Sequence, residues 1–579
     1  MRFLLILLLL GGCDGPAGAD GVEGRPGVPG PAGPTIQGPT GENGAVGPRG
    51  PRGETGPPGE PGTVDVGVPN SPDCPELSLP PGLGGVSDSE VTQGRADAWL
   101  DYRAAREQER LWEAYRPEGV LASYRMEQEV IDSGCVSEAQ LIDLGRALFL
   151  RSFSLAEGFG NGLESVDGTM AGDRPPPNMR RFQQGRFGGP DATGCFNCHW
   201  KGGFAGAGDR ADNAFLFGDG DDVDSHDQRN PPSLWGAGWT EIIAREMTVE
   251  LRTQVDGAIA TSRAERRNVI VNLEAKGVPF GIATAAFEAD EVTVDLSGVE
   301  GVDQDLVIKP FGWRGTSPTL RDFAASSLHF HLNLQSEELV AGALEGDGAQ
   351  LGEGPNSDDP DNDGVVREFT EGQLTALVLF LATLDTPGVH VPTQGGFIPG
   401  VFTSELEVVD SQEFTVRWLE GANVFQDIGC SGCHKPLMAV SDPVYRTTPA
   451  LSGIPYEVDL SEGSARPRPA RGEDGLWMVP AFSDFKRHRM GEHLAGVHAD
   501  NGVEADTYLT RRLWGVANTR PYLHDGRAAN FDEAIAAHAG EGSEAAGPAQ
   551  AFSELSEGRK ASLRVFLLSL RRAPAIRVR

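Results

Sequence analysis

The sequence predicts a mainly α-helical protein in which two copies of one domain follow an extended stalk, with a small β insertion in the first copy. Three observations predict this fold class. Glycine recurs at every third position through most of the segment from Gly15 to Gly62. In the rest of the chain, four sequence landmarks occur twice and in the same order. The last landmark of each copy has apolar residues at α-helical spacing, so each copy is expected to be helical.

Length and charge set the broad class of the chain. At 579 residues it is too long for a single hydrophobic core, so two or three domains are expected. The formal net charge of −35 argues against binding to nucleic acid or to an anionic membrane surface. This charge suits either a basic docking partner or simply an acidic, well-solvated surface.

The N-terminus has the pattern of a secretory signal peptide, predicted over residues 1–12. One basic residue precedes an apolar run that is too short to span a bilayer stably. Leu10–Cys13 is similar to the bacterial lipobox, in which the cysteine is acylated and becomes the mature N-terminus. The chain is therefore expected to be exported and lipid-anchored to a bacterial membrane, facing the periplasm or the cell surface. An ordinary signal peptide with an incidental cysteine is the alternative.

Residues 13–63 are predicted to form a collagen-like Gly-X-Y segment, because only glycine fits at the axis of a triple helix. As a triple helix, this segment would make the protein a homotrimer on a semi-rigid stalk; as a single chain it is an extended tether. Residues 64–134 are predicted to be linker and a helical segment. Ser137–Gln140 has the pattern of a capping box and is predicted to begin another helix. In an oxidising compartment Cys74 and Cys135 could form a disulfide, and two free thiols are the alternative.

The internal duplication divides the remaining chain into two domains, predicted at 135–388 and 389–579. Each copy has a Gly-x-x-apolar-Phe segment, a C-x-x-C-H motif, a Leu-Trp-Gly segment and a terminal Leu/Phe-rich segment. In the first copy these are Gly145–Phe149, Cys195–His199, Leu234–Gly236 and Glu371–Leu384. In the second copy they are Gly421–Phe425, Cys430–His434, Leu513–Gly515 and Glu557–Leu570. Each terminal segment is expected to form a helix that buries one apolar stripe.

Insertions separate the landmarks of the first copy. Val292–Leu296 and Leu306–Lys309 are predicted as short strands, which form the β element of the fold class. Residues 150–194 are rich in Gly and Pro and are predicted as loop. Asp359–Gly364 resembles the first half of a calcium-binding EF-hand loop, but the Glu expected at position twelve is missing. A solvated acidic turn is the alternative for that segment.

The two C-x-x-C-H motifs predict covalent attachment of two c-type haems. In such a motif both thiols form thioethers with the haem, and the adjacent histidine ligates the iron from the proximal side. The predicted attachment residues are Cys195, Cys198, Cys430 and Cys433, and the predicted proximal ligands are His199 and His434. A zinc site of four thiolates is the competing interpretation, but zinc has no need of a histidine directly after each cysteine pair. Both copies are therefore expected to be cytochrome c-like domains.

The distal ligands of the two irons are not determined by this pattern. Methionine and histidine are the side chains considered for them. The candidates are His226, His329, His331, His488, His493, His498, His524, His538, Met438 and Met490.

Four segments carry a resemblance to a known family. They are Arg520–Arg527 with Phe531–Ile535 and His538, Phe311–Leu320, Ser483–Gly491 and Asn230–Gly236. Together they resemble the bacterial di-haem cytochrome c peroxidase superfamily, and most closely its di-haem oxidoreductase branch, whose members are often labelled thiol oxidoreductases. The resemblance spans roughly residues 135–572 and leaves out the stalk and the linker.

The resemblance implies roles for individual residues. His538 corresponds to the superfamily ligand of the second haem, which implies bis-His ligation by His434 and His538 where peroxidases have Met. His524 corresponds to the motif histidine that supports a haem propionate and is not a ligand. A calcium ion between the haems is implied, with a structural cap and turn as the alternative. The residues at the corresponding positions, whose oxygen donors suit calcium, are Asn230, Thr519 and Pro521.

The first haem is where this chain departs from the peroxidase pattern. The peroxidase distal histidine lies near the position of His226, and His331 is the alternative to it. The first half lacks the aromatic-Trp-Asp-Gly-Arg segment that carries the distal acid groups of peroxidases, which need an acid–base group beside an open iron. The catalytic residue is unassigned, and the candidates are Glu241, Glu246 and Trp235.

The leading functional hypothesis is an exported di-haem oxidoreductase that passes electrons between a redox partner and a reactive first haem, with peroxidase-like or related chemistry. The partner is expected to be a small redox protein or another electron donor or acceptor. The alternatives are a non-catalytic di-haem electron carrier and a surface scaffolding lipoprotein that uses its collagen-like stalk. No nucleic-acid partner is expected, and membrane contact is expected through the lipid anchor only.

Overall fold

A computed structural model of the protein describes residues 125–154, 157–159, 182–184, 191–218, 222–345, 365–389, 411–462 and 469–572. All of these residues belong to one compact unit, Gly67–Arg579. The predicted signal peptide, the collagen-like segment, most of the 64–134 segment and the EF-hand-like Asp359–Gly364 lie outside the described residues. The predicted boundary between the two copies remains a prediction.

The helices give each copy its frame. They are α1 (Gln128–Asp132), α2 (Glu138–Leu150), α3 (Ala237–Glu265), α4 (Leu320–Ser327), α5 (Glu337–Glu345), α6 (Glu371–Ala382), α7 (Ser411–Asp427), α8 (Phe531–Ala537), α9 (Ala546–Ser553) and α10 (Glu557–Ser569). A single π-helical turn, Leu328–Leu332, extends α4. Each C-x-x-C pair forms one 3-10 turn, Cys195–Asn197 and Cys430–Gly432.

The strands are short and numerous. They are β1 (Phe182–Gln184), β2 (Ala214–Gly218), β3 (Asp227–Arg229), β4 (Val269–Ala275), β5 (Val278–Glu288), β6 (Glu291–Asp295), β7 (Gly388–Val389), β8 (Met438–Val440), β9 (Val444–Thr447), β10 (Tyr456–Asp459), β11 (Ala470–Arg471), β12 (Trp477–Val479), β13 (Arg487–Arg489), β14 (Thr507–Leu509) and β15 (Leu570–Arg571). The three-stranded sheets have the orders β1-β2-β3, β4-β5-β6 and β11-β12-β8. Two-stranded pairs are β10-β9, β13-β14 and β15-β7.

The prediction of a mainly α-helical fold is wrong. The structure is 39% helical and 19% strand, in several small sheets. The strand predicted at Val292–Leu296 is present as β6, whereas Leu306–Lys309 is not a strand. Most of the strands that were missed have only two to four residues, and some of them pair with partners distant in the sequence, as β8 does with β12 and β7 with β15. A strand that short carries too few residues for an alternating pattern, so its pairing is set by tertiary contacts.

The duplication predicted from the sequence is visible in how the helices cross. Helix α2 packs on α6 in the first copy, and α7 packs on α10 in the second. A side chain on Gly145 would overlap the carbonyl oxygen of Ala376, and one on Gly421 would overlap that of Ser562. The same landmark glycine therefore permits the closest helix contact in both copies.

The aromatic residues of these crossings match as well. In the first copy the rings of Phe149 and Phe380 have centroids 5.5 Å apart at an interplanar angle of 51°. In the second copy Phe425 and Phe566 have centroids 5.3 Å apart, also at 51°. Tilted aromatic pairs of this kind stabilise a core beyond the area that they bury. Phe149 also contacts Phe196 of the first C-x-x-C-H turn, with ring centroids 6.4 Å apart, and Phe425 precedes the second turn by five residues.

The two Leu-Trp-Gly segments pack against each other reciprocally. A Cβ on Gly515 would come within 2.7 Å of the Trp235 ring, and a Cβ on Gly236 within 2.6 Å of the Trp514 ring. Both glycines also have positive φ, +67° at Gly236 and +77° at Gly515. Glycine is required at both positions for the backbone conformation and for the close approach of the opposite indole. The two copies are therefore joined at their matching motifs.

The terminal helices differ in how they are buried. Helix α10 buries one face, as predicted, whereas every residue of α6 is buried. The single buried stripe predicted for the first copy is therefore wrong for α6. This helix is covered on several sides, because α1, α2, α3, α4 and β9 all pack against it.

Two further predictions concern the start of the first copy. Ser137 and Gln140 form the predicted capping box, in which the Gln140 amide donates to the Ser137 hydroxyl and the Ser137 amide donates to Gln140 Oε1. Cys135 is disulfide-bonded, and its partner lies outside the described residues.

Among the described helices, none is long and apolar enough to cross a membrane.

Candidate functional site

The first C-x-x-C-H motif forms a compact turn directly against the frame of the first copy. The amide of His199 donates to the carbonyl of Cys195 at 3.1 Å, so the histidine follows immediately on the cysteine turn. A side chain on the preceding Gly194 would overlap the carbonyl of Arg151. Cys195 and Cys198 are half-buried and form no disulfide. Burial raises the pKa of Cys195 to about 12, so this thiol is protonated at neutral pH.

The ring of His199 is oriented by backbone carbonyls. Its Nδ1 lies 3.0 Å from the carbonyl oxygen of Pro232 and 3.3 Å from that of Gly206. An Nδ1–H that donates to a carbonyl leaves Nε2 as the unprotonated nitrogen, which is the form that ligates a metal. Burial lowers the pKa of His199 to about 4, so the ring is neutral at pH 7. This geometry fits a proximal haem ligand.

His434 is arranged in the same way in the second copy. Its Nδ1 lies 3.1 Å from the carbonyl oxygen of Phe482. Burial, followed by the electrostatic interaction with His538, lowers its pKa to about 4. Cys430 and Cys433 are half-buried and form no disulfide, like their counterparts. The residues present therefore fit a second proximal site of the same kind.

The alternative of a four-thiolate zinc site does not fit this arrangement. Among the described residues, the only group of three converging metal-ligating side chains is Cys433, Asp484 and His488. The two cysteine pairs therefore do not come together. Neutral thiols with raised pKa values are also the opposite of what a thiolate metal site stabilises.

His538 lies where the family resemblance implied a distal ligand of the second haem. It caps the C-terminus of α8, whose first turn is capped by Asn530. Its Nδ1 donates to the carbonyl of Ala534 at 2.7 Å, which again leaves Nε2 unprotonated. Burial lowers the pKa of His538, and the ring is close enough to His434 to affect the pKa of that residue. The structure thus brings His434 and His538 together.

The two candidates for the distal side of the first haem are placed very differently. His331 lies on the π-helical turn after α4, with Nδ1 3.0 Å from the Asp191 carboxylate. Its charge lowers the pKa of His199, so these two histidines are near each other. Burial alone would lower the pKa of His331, but the Asp191 carboxylate outweighs burial and raises it. The His331 side chain is 37% exposed, whereas Asp191 is nearly buried.

His226 lies in a different environment from that of His331. It is buried, its Nδ1 lies 2.6 Å from the carbonyl oxygen of Asp222, and its ring packs edge-on against Phe215. The groups that shift the pKa of His199 include His331 and do not include His226. The sequence ranked His226 first, and the structure instead brings His331 to the first proximal histidine.

The three candidate catalytic residues have structural partners. Glu241 on α3 accepts from the amide of Leu320 at 2.6 Å and from the Tyr445 hydroxyl at 3.2 Å. Glu246 pairs with Lys276 Nζ at 2.5 Å. Trp235 is fully buried and donates its indole N–H to the carbonyl of Phe204 at 2.8 Å. Of the two carboxylates, only Glu241 has a pKa suited to proton exchange near neutrality, because burial raises it to about 7.

The raised pKa of Glu241 predicts a specific pH dependence of stability. The folded protein binds this proton up to about pH 7, whereas the unfolded chain releases it near 4.5. Stability from this group is therefore present below pH 4.5 and lost as pH rises through 7, by about 3 kcal/mol in total. We expect Glu241→Gln to remove that loss, measured as the free energy of unfolding from pH 4.5 to 7.5.

Glu246→Gln is the matched control for that experiment. Burial would raise the pKa of Glu246, but hydrogen bonds from Lys276, the Asp442 amide and Ser441 together lower it, so its stabilising contribution is lost as pH falls instead. The two variants should therefore diverge from the parent at opposite ends of the pH range. Parallel profiles for Glu241→Gln and the parent between pH 4.5 and 7.5 would contradict the assignment.

Two of the residues assigned to calcium by resemblance lie together. The Asn230 amide donates to the His524 carbonyl at 2.6 Å, and its side-chain Nδ2 donates to Asn213 Oδ1 at 3.0 Å. A Cβ on Gly526 would come within 3.3 Å of Asn230 Nδ2 and within 3.1 Å of Pro521 Cγ, so Asn230 and Pro521 flank the same glycine. With Nδ2 used as a donor, Asn230 has its oxygen available, and oxygen is the donor that calcium prefers.

His524 is buried as a neutral ring next to this group. It stacks on Tyr508 with ring centroids 4.6 Å apart, and its Nε2 lies 3.4 Å from the Tyr508 hydroxyl. Burial and the nearby Arg229 lower its pKa to about 3. These contacts are compatible with the implied role of His524 as a supporting residue rather than an iron ligand.

One cluster beside the second cysteine pair was not expected from the sequence, which named His488 only as a candidate distal ligand. His488 Nε2 lies 2.9 Å from the Asp484 carboxylate and Nδ1 lies 2.7 Å from that of Glu544, directly beside Cys433. Burial would lower the pKa of His488, but Asp484 and its other neighbours raise it to about 11. The segment Ser483–Gly491 was singled out for its resemblance, and that was the available signal. Its role beside the second cysteine pair required the structure.

Comparison with known proteins supports the site and the stalk separately. Residues 406–570 match the family model described as "Di-haem oxidoreductase, putative peroxidase", and residues 10–66 match the model of the collagen triple helix repeat. No curated protein matches the chain. The matches confirm both the resemblance to the di-haem oxidoreductases and the collagen-like repeat that the sequence predicted.

Proposed function

We propose that this chain is an exported oxidoreductase with two covalently attached c-type haems. The match of residues 406–570 to the di-haem oxidoreductases supports this proposal. The protein passes electrons between a redox partner and a reactive first haem. One observation carries the proposal: each C-x-x-C-H turn is followed by a neutral histidine whose Nδ1 is held by a backbone carbonyl, Pro232 for His199 and Phe482 for His434. That arrangement is what iron ligation by Nε2 requires.

Each bound haem would supply a one-electron ferric/ferrous couple. The protein residues determine how that couple is used. His199 and His434 are fixed by their carbonyl partners, which keeps the ring orientation and the tautomer constant. Phe149, Phe196, Phe204 and Phe380 surround the first site, and Phe149 lies 6.5 Å from the His199 ring. This aromatic wall excludes water and so favours the less charged, reduced state.

The two sites differ on their distal sides. His538, with its Nε2 unprotonated and close to His434, supports a six-coordinate, low-spin second haem that exchanges electrons with the partner. His331 is held by Asp191 and raised in pKa, so near neutral pH it can carry a proton on the distal side of the first site. A proton donor there fits the reaction of a small oxidant at the first haem, and replaces the acid segment that the first copy lacks.

A non-catalytic electron carrier is the second candidate function. The proximity of His331 to His199 supports a reaction at the first haem, but it also allows His331 to be the sixth ligand of the first iron. Electron paramagnetic resonance of the ferric protein separates the two functions. One high-spin and one low-spin signal support the oxidoreductase, and two low-spin signals support the carrier.

The remaining elements of the proposal concern location and partners. Acylated Cys13 anchors the protein to a bacterial membrane, on the periplasmic side or at the cell surface, and the collagen-like repeat assembles three chains on one stalk. The net charge of −35 suits a basic redox partner. Calcium held by Asn230, Thr519 and Pro521 would stabilise the segment between the sites.

The haem content tests the proposal directly. Expressed with a cytochrome c maturation system, the parent chain should have the mass of the polypeptide plus two haems and keep its chromophore after denaturation and acid-acetone extraction. Cys430→Ala/Cys433→Ala should retain one covalent haem, because only the second attachment site is lost. Cys195→Ala/Cys198→Ala is the matched variant and should retain the other haem. A parent with the mass of the bare polypeptide would end the proposal.

A further inference from the structure

Arg511 and Arg512 lie between β14, which ends at Leu509, and the second Leu-Trp-Gly segment, Leu513–Gly515. The Arg511 side chain donates to the carbonyl of Gly312 at 3.2 Å and lies over the Trp313 ring, 4.7 Å from its centroid. The Arg512 side chain donates to the carbonyl of Ser233 at 3.4 Å and to Thr240 Oγ1, and lies 5.1 Å from the Trp514 ring centroid. Both guanidinium groups are therefore held in place by neutral groups.

This pair has no acidic counter-charge among the residues that the structure describes. Other interior arginines do have one: Arg321 lies 2.6 Å from Glu338, and Arg572 lies 2.5 Å from Asp385. Burial lowers the pKa of Arg511 to about 10, and burial together with Arg511 lowers that of Arg512 well below its usual value. Arginine nevertheless stays protonated in proteins, so two adjacent interior cations require an anion.

Both residues also combine an interior position with accessible surface. Arg511 and Arg512 keep part of their surface accessible, and so do His199, His434 and the four haem-attaching cysteines. Burial is nevertheless the largest cause of the lowered pKa values of both arginines and both histidines. Side chains that line internal space have this combination. A guanidinium group has five N–H donors, and within the described residues Arg511 donates one side-chain hydrogen bond and Arg512 two. Donors are therefore left for a further acceptor.

The pair is connected through the backbone to both proximal histidines. Arg512 binds the carbonyl of Ser233, and the carbonyl of the preceding residue, Pro232, orients His199. On the other side, Ser483 Oγ donates at 2.7 Å to the carbonyl of Thr510, and the residue before Ser483 is Phe482, which orients His434. Two hydrogen-bonded backbone connections thus link the arginines to both proximal sites.

We propose that Arg511 and Arg512 bind the propionate carboxylates of the haems and so position both macrocycles and set their reduction potentials. The proposal rests on the proposed function. Thioether bonds fix one edge of each haem at the cysteines, so the propionates extend from another edge. Each haem has two propionates, so the two guanidinium groups match one carboxylate from each haem in charge, and the planar fork of arginine suits bidentate carboxylate recognition.

The test uses Arg511→Gln and Arg512→Gln in the full mature holoprotein. Two readouts are taken: the reduction potential of each haem by spectroelectrochemistry, and the propionate bending bands in resonance Raman spectra. Loss of a positive charge next to a haem disfavours the reduced state, so the potential should fall. We expect the ferrous/ferric ratio of at least one haem at fixed ambient potential to drop about tenfold, which is about 59 mV for a one-electron couple. The propionate bands should shift as well.

Two sets of variants make the result specific. Arg511→Lys and Arg512→Lys keep the charge but lose the fork, so they should keep the potential closer to the parent while still shifting the propionate bands. Arg471→Gln is the matched control, because Arg471 is exposed and lies 5.7 Å from the Trp477 ring in a similar stack. It should change neither readout.

Unchanged propionate bands in both Gln variants, with two haems present, overturn the proposal. A second outcome also overturns the proposal. If added phosphate at constant ionic strength changes the reduction potential while the propionate bands stay constant, Arg511 and Arg512 bind a free anion instead. If the Gln variants do not fold, the Lys variants provide the test, and unchanged propionate bands in both of them overturn the proposal. A parent chain without haem fails the proposed function itself, whereas a parent with two haems and unaffected variants fails only this inference.

Discussion

His538→Ala is expected to convert the second haem from a low-spin to a high-spin centre and to leave the first haem unchanged. The His538 ring is neutral, its Nδ1 donates to the carbonyl of Ala534, and its Nε2 is unprotonated close to His434. Alanine supplies no ligand, so the iron keeps only its proximal histidine. The ferric protein should lose one low-spin electron paramagnetic resonance signal and gain one high-spin signal.

A second substitution at this position separates ligation from packing. His538→Met should keep the second haem six-coordinate and low-spin, because methionine is also an axial ligand. Its reduction potential should rise, since a thioether favours ferrous iron more than imidazole does. A purely structural role for His538 predicts no such rise.

His493→Ala is the control for the same experiment. His493 is exposed and lies close to the end of α8, where a Cβ on Gly540 would come within 2.9 Å of the His493 Cβ. Loss of this neighbouring imidazole should leave both spin states unchanged. A His538→Ala spectrum identical to that of the parent removes His538 as a ligand, whatever the control shows.

Gly145→Ala and Gly421→Ala are each expected to lower the free energy of unfolding by about 1–3 kcal/mol or more. At both positions a methyl group would overlap a backbone carbonyl of the crossing helix, Ala376 in the first copy and Ser562 in the second. A backbone atom cannot move aside as a flexible side chain can, so the helices must separate. Denaturant unfolding of the holoprotein measures the effect.

Gly257→Ala tests the same substitution where nothing opposes it. Gly257 is exposed on α3, and no atom lies within 4 Å of the position that its Cβ would occupy. Alanine should therefore raise stability by about 0.5–1 kcal/mol, because glycine in a helix interior costs about that much. We therefore expect the free energy of unfolding to rise on substitution of Gly257 and to fall on substitution at the two helix crossings. A gain in stability at Gly145 or Gly421 would mean that the crossing is looser than described.

The second crossing also connects stability to the site. Helix α7 leads directly into the Cys430–Gly432 turn, and Phe425 near its end packs on Phe566 of α10. Separation of α7 from α10 at Gly421 should therefore disturb the second haem site as well as the fold. We expect Gly421→Ala to change the absorption spectrum of the second haem and Gly145→Ala that of the first.

Local sequence signals were sufficient for several elements of the fold. The capping box at Ser137 and Gln140 correctly marked the start of α2. The repeated landmarks correctly identified α6 and α10 as counterparts that pack on α2 and α7. Caps and helical periodicity act within a few residues, so a single segment contains all the information that is needed to predict them.

The strand content could not be predicted in the same way. Strands β8, β11 and β12 have three, two and three residues, and they form a sheet only because distant loops meet. Such strands have no periodicity of their own, which is why a mainly α-helical fold was expected. Full burial of α6 has a similar origin, because it depends on which helices surround it and not only on its own sequence.

The candidate site shows the same division. C-x-x-C-H places two thiols and one imidazole within five consecutive residues, so the attachment residues and proximal histidines could be named from the sequence. The choice between His226 and His331 could not, because both candidates are distant from His199 in the sequence and the proximity of His331 to His199 is a tertiary contact.

What the sequence determined by itself was the chemistry of the chain: two C-x-x-C-H motifs in a duplicated frame, preceded by a glycine-periodic stalk. Only the tertiary structure decided which side chains surround those motifs. It brought His538 to His434 and His331 to His199, and it held Arg511 and Arg512 without an acidic partner among the described residues. The physical reason is that burial, charge interactions and packing depend on distances in space, which covalent order constrains only over short segments.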